Sequence, residues 1–257
     1  MALSVVPVHA DPRGLSMAKR AAKKGSSRPV HLSADRLRMG WPGPVGTRVR
    51  LATAADTDTV DALLDTAGVR LIPALRSSIE QGTAGAALLD GLAGTTKTFF
   101  EDFARRTIGH SMADAMASVS LTLVAADEQD RPIGALSVTA PGTIIERALE
   151  HGYSNVQAVT LSVAIGKVHG LAVAEQARGQ DLASFLLRRA WQVYDQLDYF
   201  LLYGSFETER DLGAFYKGCG YTVHAPGEGF LLDRIDLPFG IHAGPDQCVF
   251  TRWRPPR

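Results

Sequence analysis

Residues His169–Leu187 read HGLAVAEQARGQDLASFLL. An apolar run from Ile165 (IGKVHGLAV) ends at Val173 and reads as a strand. A short polar turn containing Arg178 and Gly179 follows, and a strongly amphipathic helix runs from Ala183 to Tyr194. The N–H groups of such a turn and of the first helical turn have no partner inside the helix, and the helix dipole adds partial positive charge there. Together they make a place for phosphate. As a bare pattern this says only that an anion, such as a nucleotide pyrophosphate, could sit there, because many strand–turn–helix units look alike.

Working outward, Arg48–Ala54 (RVRLATA) reads as a strand. Asp56 or Thr57 then caps a helix with the stripe Val60, Leu63 and Leu64. Helical periodicity continues through Pro73–Leu92 and Phe99–Met116, too long a stretch for a simple connection. Ser120–Ala126 and Ile133–Ala140 are apolar runs joined by DEQDRP, a hairpin signal. A short helix is expected at Ile144–His151. Downstream, Tyr199–Tyr203 (YFLLY) is a continuous apolar strand suited to burial on both faces, and Asp211–Gly218 a helix ended by glycine. Tyr221–His224 and Gln247–Trp253 are the last strands. Strands and helices mixed in this order predict an α+β or layered α/β fold, with helices against a mixed sheet.

Lys+Arg and Asp+Glu are equal at 27 each in 257 residues. That balance gives no case for nucleic acid or an anionic membrane as partner. Two cysteines, Cys219 and Cys248, are too few for a disulfide framework and fit a reducing cytoplasm, so a cytoplasmic location is expected. No apolar run has transmembrane length. His110, His151 and His242 lie far apart with no metal-ligand spacing, and no P-loop or Gly-x-Ser-x-Gly string occurs, so no metal is expected. Residues 1–46 carry eight Lys/Arg against two Asp, with scattered Pro, Gly and Ser. They read as a flexible basic leader before a domain at 47–257, and removal of residues 1–40 is expected to leave stability unchanged. A transit peptide or a start at Met17 or Met39 are the other readings.

The His169–Leu187 stretch resembles the acyl-CoA signature of the GNAT superfamily of N-acyltransferases: a strand ending in Val, an Arg/Gln-x-x-Gly-x-Gly/Ala turn, then a helix. Arg178 matches its first position and Ala183 its last, while Asp181 stands where the family usually has Gly. Asp181 puts negative charge beside a pyrophosphate and reaches positive φ less easily than Gly. A neighbouring cation, Arg178, Arg188 or Arg189, is the expected compensation. A second segment, Tyr199–Val223, is similar to the family's later strand–helix unit, with Tyr216-Lys217-Gly218-Cys219-Gly220-Tyr221 closest to its ending. Glu209 replaces an Asn that often contacts CoA there. The likeness spans about Arg48–Phe250, its specific part being Lys167–Val223. It implies a mostly antiparallel central sheet flanked by helices. It also implies acetyl-CoA (or another acyl-CoA) as co-substrate, bound by Leu171, Ala172, Val173, Arg178, Gly179, Gln180, Asp181, Leu182, Ala183 and Ser184. The helical periodicity of residues 57–117 reads as an insert after the first strand, either a substrate-side cover or plain elaboration.

Acyl transfer to an amine needs the amine deprotonated, the thioester carbonyl polarised and the leaving thiolate protonated. Tyr216 is the candidate acid, with plain packing on the core as the alternative. His169 is the candidate base. By the period of two, its side chain is expected on the face of Val173. The string His169–Val173 is similar to the strand of arylalkylamine N-acetyltransferases, where a histidine relays the amine's proton. A packed or surface histidine is the alternative, with Glu175 and Glu207 as other bases. The expected activity is acetyl transfer to the primary amine of a small molecule, with a homodimer left open. The rival readings are a protein lysine or N-terminal acetyltransferase and a non-catalytic acyl-CoA-binding module.

Overall fold

The computed structural model describes residues 31–109 and 111–255, and the statements below concern these residues. The strands are β1 (Trp41–Pro42), β2 (Arg48–Leu51), β3 (Leu121–Ala126), β4 (Pro132–Thr139), β5 (Ile165–Val173), β6 (Leu201–Glu207), β7 (Thr222–Val223), β8 (Phe230–Leu231), β9 (Gly240–Ile241) and β10 (Gln247–Trp253). Eight of them form one sheet in the order β1-β2-β3-β4-β5-β6-β10-β7, and β8 pairs with β9 apart from it. Neighbours in the large sheet run antiparallel except β5 and β6, which are parallel.

Five helices fill the stretch between β2 and β3: α1 precedes β1 at Ala34–Met39, and α2 (Thr57–Thr66), α3 (Pro73–Glu80), α4 (Ala86–Ala93), α5 (Thr96–Gly109) and α6 (Met112–Ser118) form the insert. Then come α7 (Gly142–Glu150), α8 (Asn155–Thr160), α9 (Leu182–Gln196) and α10 (Gly213–Gly218). Local chemistry sets several starts. Ser111 and Ser154 accept the N–H of the third residue of α6 and α8, and Pro73 opens α3, where its missing N–H costs nothing. The mixed, mostly antiparallel sheet with helices on its faces and an insert after β2 agrees with the fold expected from the sequence.

Strand alternation divides the core. Leu121, Leu123 and Leu136 pack with Leu186 and Tyr194 of α9, and Leu88, Phe99 and Ala115 of α4–α6 join that cluster. On the other face, Val124, Ala135 and Ala172 meet Val60 and Leu64 of α2 and Leu75 of α3. The insert is therefore split between the two faces rather than forming one lid. Both faces of β3 are covered, which is why LTLVAA is buried throughout.

Three expectations are corrected. The leader was expected to reach residue 46, and its residues 1–30 lie outside the described residues. Residues 31–46, however, carry α1 and β1. Leu32, Leu37 and Trp41 are buried in the main core, and Leu32 N–H donates to Gln196 Oε1 at 2.8 Å. The basic composition concealed three well-spaced apolar anchors. Helicity expected over Pro73–Leu92 is broken between Glu80 and Ala86, where Gly82 and Gly85 take positive φ. The strand expected at Tyr199–Tyr203 starts later, at Leu201. Tyr199 lies before it, fully buried, with its hydroxyl donating to the Ser162 carbonyl at 2.9 Å.

Candidate functional site

Only three residue pairs, Ile165–Leu201, Gly166–Leu202 and Lys167–Tyr203, join β5 to β6. Past them β5 continues to Val173, paired only with β4, and β6 to Glu207, paired only with β10, so the sheet splits at its one parallel junction. The candidate site is built around this split.

Beyond Val173 the chain makes a tight helical turn at Glu175–Ala177, anchored by buried Ala177. Gly179 has φ +75° and Asp181 φ +60°, and α9 begins at Leu182. The first bond into the helix is Phe185 N–H to the Asp181 carbonyl, at 3.0 Å. The N–H groups from Gly179 to Ser184 have no protein acceptor among the described residues. Unpaired donors at the start of a 15-residue helix fit an anion. The Asp181 side chain adds an acceptor there, and Arg188 Nη2 donates to its Oδ2 at 2.9 Å. Of the three cations considered, Arg188 makes this pairing. Arg178 Nε reaches back to the Val173 carbonyl at 3.4 Å, and Arg189 lies over the Trp41 and Phe185 rings. A hydrogen bond from Ser184 is the largest influence holding the Asp181 carboxyl below its ordinary range; burial opposes it, and the Arg188 pairing adds to the lowering.

Two adjoining cavities open on the split. One, of 270 Å³, lies beside this loop and is lined by Leu171, Ala172, Val173, Arg178, Ala183 and Tyr216, among others. The second, of 310 Å³, is lined by Lys167 and His169 of β5, Ser205 and Glu207 of β6, and Gln247 of β10. Leu171, Arg210, Leu212, Tyr216 and Ala67 line both, and Gly68 and Val69, just past α2, border the second.

Tyr216 thus stands where the cavities meet. Its ring stacks on Phe250 at 3.7 Å and 14°, and it is 6% exposed. Its hydroxyl has no protein partner among the described residues. Burial, with a smaller contribution from Cys219, raises the phenol well above its ordinary pKa, and the Arg210 charge opposes the rise.

His169 is placed differently from the sequence expectation. Ser137 pairs with Gly170 but Val138 with Val168, so His169 is the extra residue of a β-bulge. The bulge breaks the period of two. The ring does not share the face of Val173 but reaches toward the segment after α2, with Nε2 2.8 Å from the Arg70 carbonyl. A carbonyl only accepts, so Nε2 carries a hydrogen and Nδ1 is the nitrogen left to take a proton.

Among the expected binding residues, Leu171, Ala172, Val173, Arg178 and Ala183 are brought together with Tyr216. Gly179, Asp181, Leu182 and Ser184 form the loop and helix start, Leu182 with its side chain in the core and its N–H free. Gln180 lines a separate hollow with Asp127 and Arg131. Of the alternative bases, Glu207 lines the 310 Å³ cavity and Gln247 Nε2 donates to it at 2.9 Å, whereas Glu175 lines neither cavity. Sequence reading missed Lys167 and Arg210. Arg210 lies in a charged TERD loop with no periodic signal, and Lys167 looked like an interruption of an apolar strand. Among the described residues no group of three or more His, Cys, Asp or Glu could hold a metal ion, and no helix is long and apolar enough to cross a membrane.

No family model matches the sequence, and no curated protein matches it. Among solved structures, the chain is similar to a nourseothricin acetyltransferase at 16% identity, over 53% of this chain and 66% of that one, with a TM-score of 0.34. It is similar to an acetyltransferase of the GNAT family from Desulfovibrio desulfuricans at 13% identity, over 80% and 98% of the two chains, TM-score 0.44. A phosphinothricin acetyltransferase from Sinorhizobium meliloti in complex with AcCoA aligns at 14% identity, over 80% and 88%, TM-score 0.43.

Proposed function

We propose that this chain is an acyl-CoA-dependent N-acyltransferase of the GNAT type, moving an acetyl group directly to the primary amine of a small molecule. One observation carries the reading: the unpaired N–H groups at the start of α9 lie beside a cavity that meets a second one at Tyr216, through a split in the sheet. A phosphate-bearing acyl donor on one side and an acceptor on the other would bring their reacting atoms together beside that phenol.

In this reading the backbone from Gly179 to Ser184 holds the donor's phosphates. The exposed edge of β5 at Leu171–Val173 aligns its arm. Acceptor nitrogen bonds to the thioester carbonyl carbon as the carbon–sulfur bond breaks. The proton leaving the amine passes to His169 Nδ1 or to Glu207, and the Tyr216 hydroxyl gives its proton to the departing thiolate. A phenol raised by burial remains protonated at neutral pH, as this role requires. No covalent enzyme intermediate is needed.

A cavity of 310 Å³ bordered by Gly68 and Val69 suits a small acceptor better than a length of polypeptide. The end of α2, though not the whole insert, serves as the cover. The test is thiol release from acetyl-CoA by the purified protein with a panel of amines, alongside native mass spectrometry for a copurifying acyl-CoA. Calorimetric binding of acetyl-CoA without turnover of any amine would instead favour the non-catalytic module.

A further inference from the structure

The acceptor-side cavity has an unbalanced set of charges. Lys167 lines it from β5, at the last paired position before the sheet splits, and its side chain makes no ion pair or hydrogen bond among the described residues. Arg210 lines it from the turn after β6, also with no carboxylate partner, and its Nη2 would lie 3.1 Å from a Cβ placed on Gly68. The guanidinium therefore reaches from the β6 side to the lip formed after α2. Against these two cations stands one carboxylate, Glu207.

This set opposes a simple alkylamine. A primary amine arrives largely as an ammonium ion, and a second ammonium on the same molecule, as in a diamine, would face Lys167 and Arg210 with only Glu207 to offset them. An acceptor with its own anionic group completes the charges. Its ammonium can lie by Glu207 and its anion by Lys167 and Arg210, so that like charges are kept apart. Arg210 also borders the donor-side cavity, whereas Lys167 lines the acceptor side alone.

Resting on the acyl-transfer reading above, we infer that the acceptor is a small primary amine bearing a carboxylate or a comparable oxyanion, and that Lys167 determines this specificity. The cationic pair selects the charge, and the compact cavity limits the size.

The experiment compares matched acceptors with the full-length protein and acetyl-CoA at one pH: amino acids, their amides, aminophosphonates of the same chain length, and diamines. The expected kcat/KM is about tenfold or more higher for the carboxylate than for its amide, with diamines poorest, a ratio equivalent to roughly 1.4 kcal/mol. The aminophosphonates distinguish which oxyanion is preferred. Lys167→Gln should bring the carboxylate-to-amide ratio close to one, mainly by raising KM for the carboxylate, and Lys167→Arg should restore it. Turnover in which amides or diamines equal or exceed carboxylates overturns this inference and leaves acyl transfer standing. An unchanged ratio in Lys167→Gln overturns the role of Lys167. No turnover with any amine overturns both readings.

Discussion

The Asp181 carboxylate accepts a hydrogen bond from Arg188 at 2.9 Å, while the Asp181 backbone sits in the left-handed region at φ +60° and ψ 14°. Both facts concern one residue of the turn that leads into α9. The conformation is the one glycine adopts without strain. The added negative charge, set at the positive end of α9, occupies Arg188, a cation that would otherwise be free for a phosphate.

Asp181→Gly should therefore relieve the backbone and release Arg188. Acetyl-CoA should bind about three- to tenfold more tightly, as expected from roughly 0.7–1.4 kcal/mol. Asp181→Asn, which keeps a residue tolerant of this conformation, should give part of the gain and so separate charge from backbone. Isothermal calorimetry decides. Weaker binding in both variants would mean that the carboxylate itself contacts the donor.

A second expectation concerns residues once read as leader. Leu37 is fully buried, in one core with Trp41, Val49 and Leu92. Leu37→Ala should destabilise the protein by about 2–5 kcal/mol, the usual range for a buried leucine. A deletion through residue 40 should lower the melting temperature by several degrees or more. Denaturant unfolding of Leu37→Ala with a midpoint equal to that of the parent would return these residues to the leader.

What was legible in the sequence follows the physics of each signal. β5 and β10 match their expected bounds because both are rich in β-branched and apolar residues and give way to polar or proline-containing turns within a few residues of their C-terminal ends. The α9 start was legible because its turn combines Arg178, Gly179 and a sharp change of period. Residues 31–46 failed because charge composition averages over the few apolar residues that pack. The bulge at His169 was invisible because it depends on pairing with β4, a long-range register that local alternation cannot encode. Lys167 and Arg210 converge only through the split between β5 and β6, so neither stood out alone.

The bulge makes a specific demand on His169. With Nε2–H held by the Arg70 carbonyl, only Nδ1 is left to take a proton if His169 is the base. His169→Gln should lower kcat/KM by ~10²-fold, within the range for a lost general base, while acetyl-CoA affinity barely changes. If the loss is small in His169→Gln and ~10²-fold in Glu207→Gln, Glu207 is the base and His169 serves to fix the loop after α2.

Tyr216 gives the sharpest test because its packing and its chemistry can be separated. Tyr216→Phe retains the ring on Phe250, 3.7 Å away, and removes a hydroxyl with no protein partner to lose, so the fold should be preserved. If the hydroxyl protonates the leaving thiolate, kcat should fall by ~10²-fold or more while acetyl-CoA affinity barely changes, because the interaction belongs to the transition state. The pH dependence has a definite sign. An acid must be protonated to act, and burial raises this phenol above its ordinary value, so the alkaline limb of kcat in the parent protein should lie above pH 10. The same raised value favours the folded state below the unfolded phenol's pKa of 10.0, and this contribution is lost as pH rises through the folded value. Tyr216→Phe should thus lose less stability than the parent between neutral pH and pH above 10, while losing most of its turnover at every pH. A variant with full kcat where chemistry limits the rate would remove Tyr216 from the acid role. Tyr221 would not replace it directly, because its hydroxyl is buried without a partner and lines neither cavity. The proton would then have to come from water.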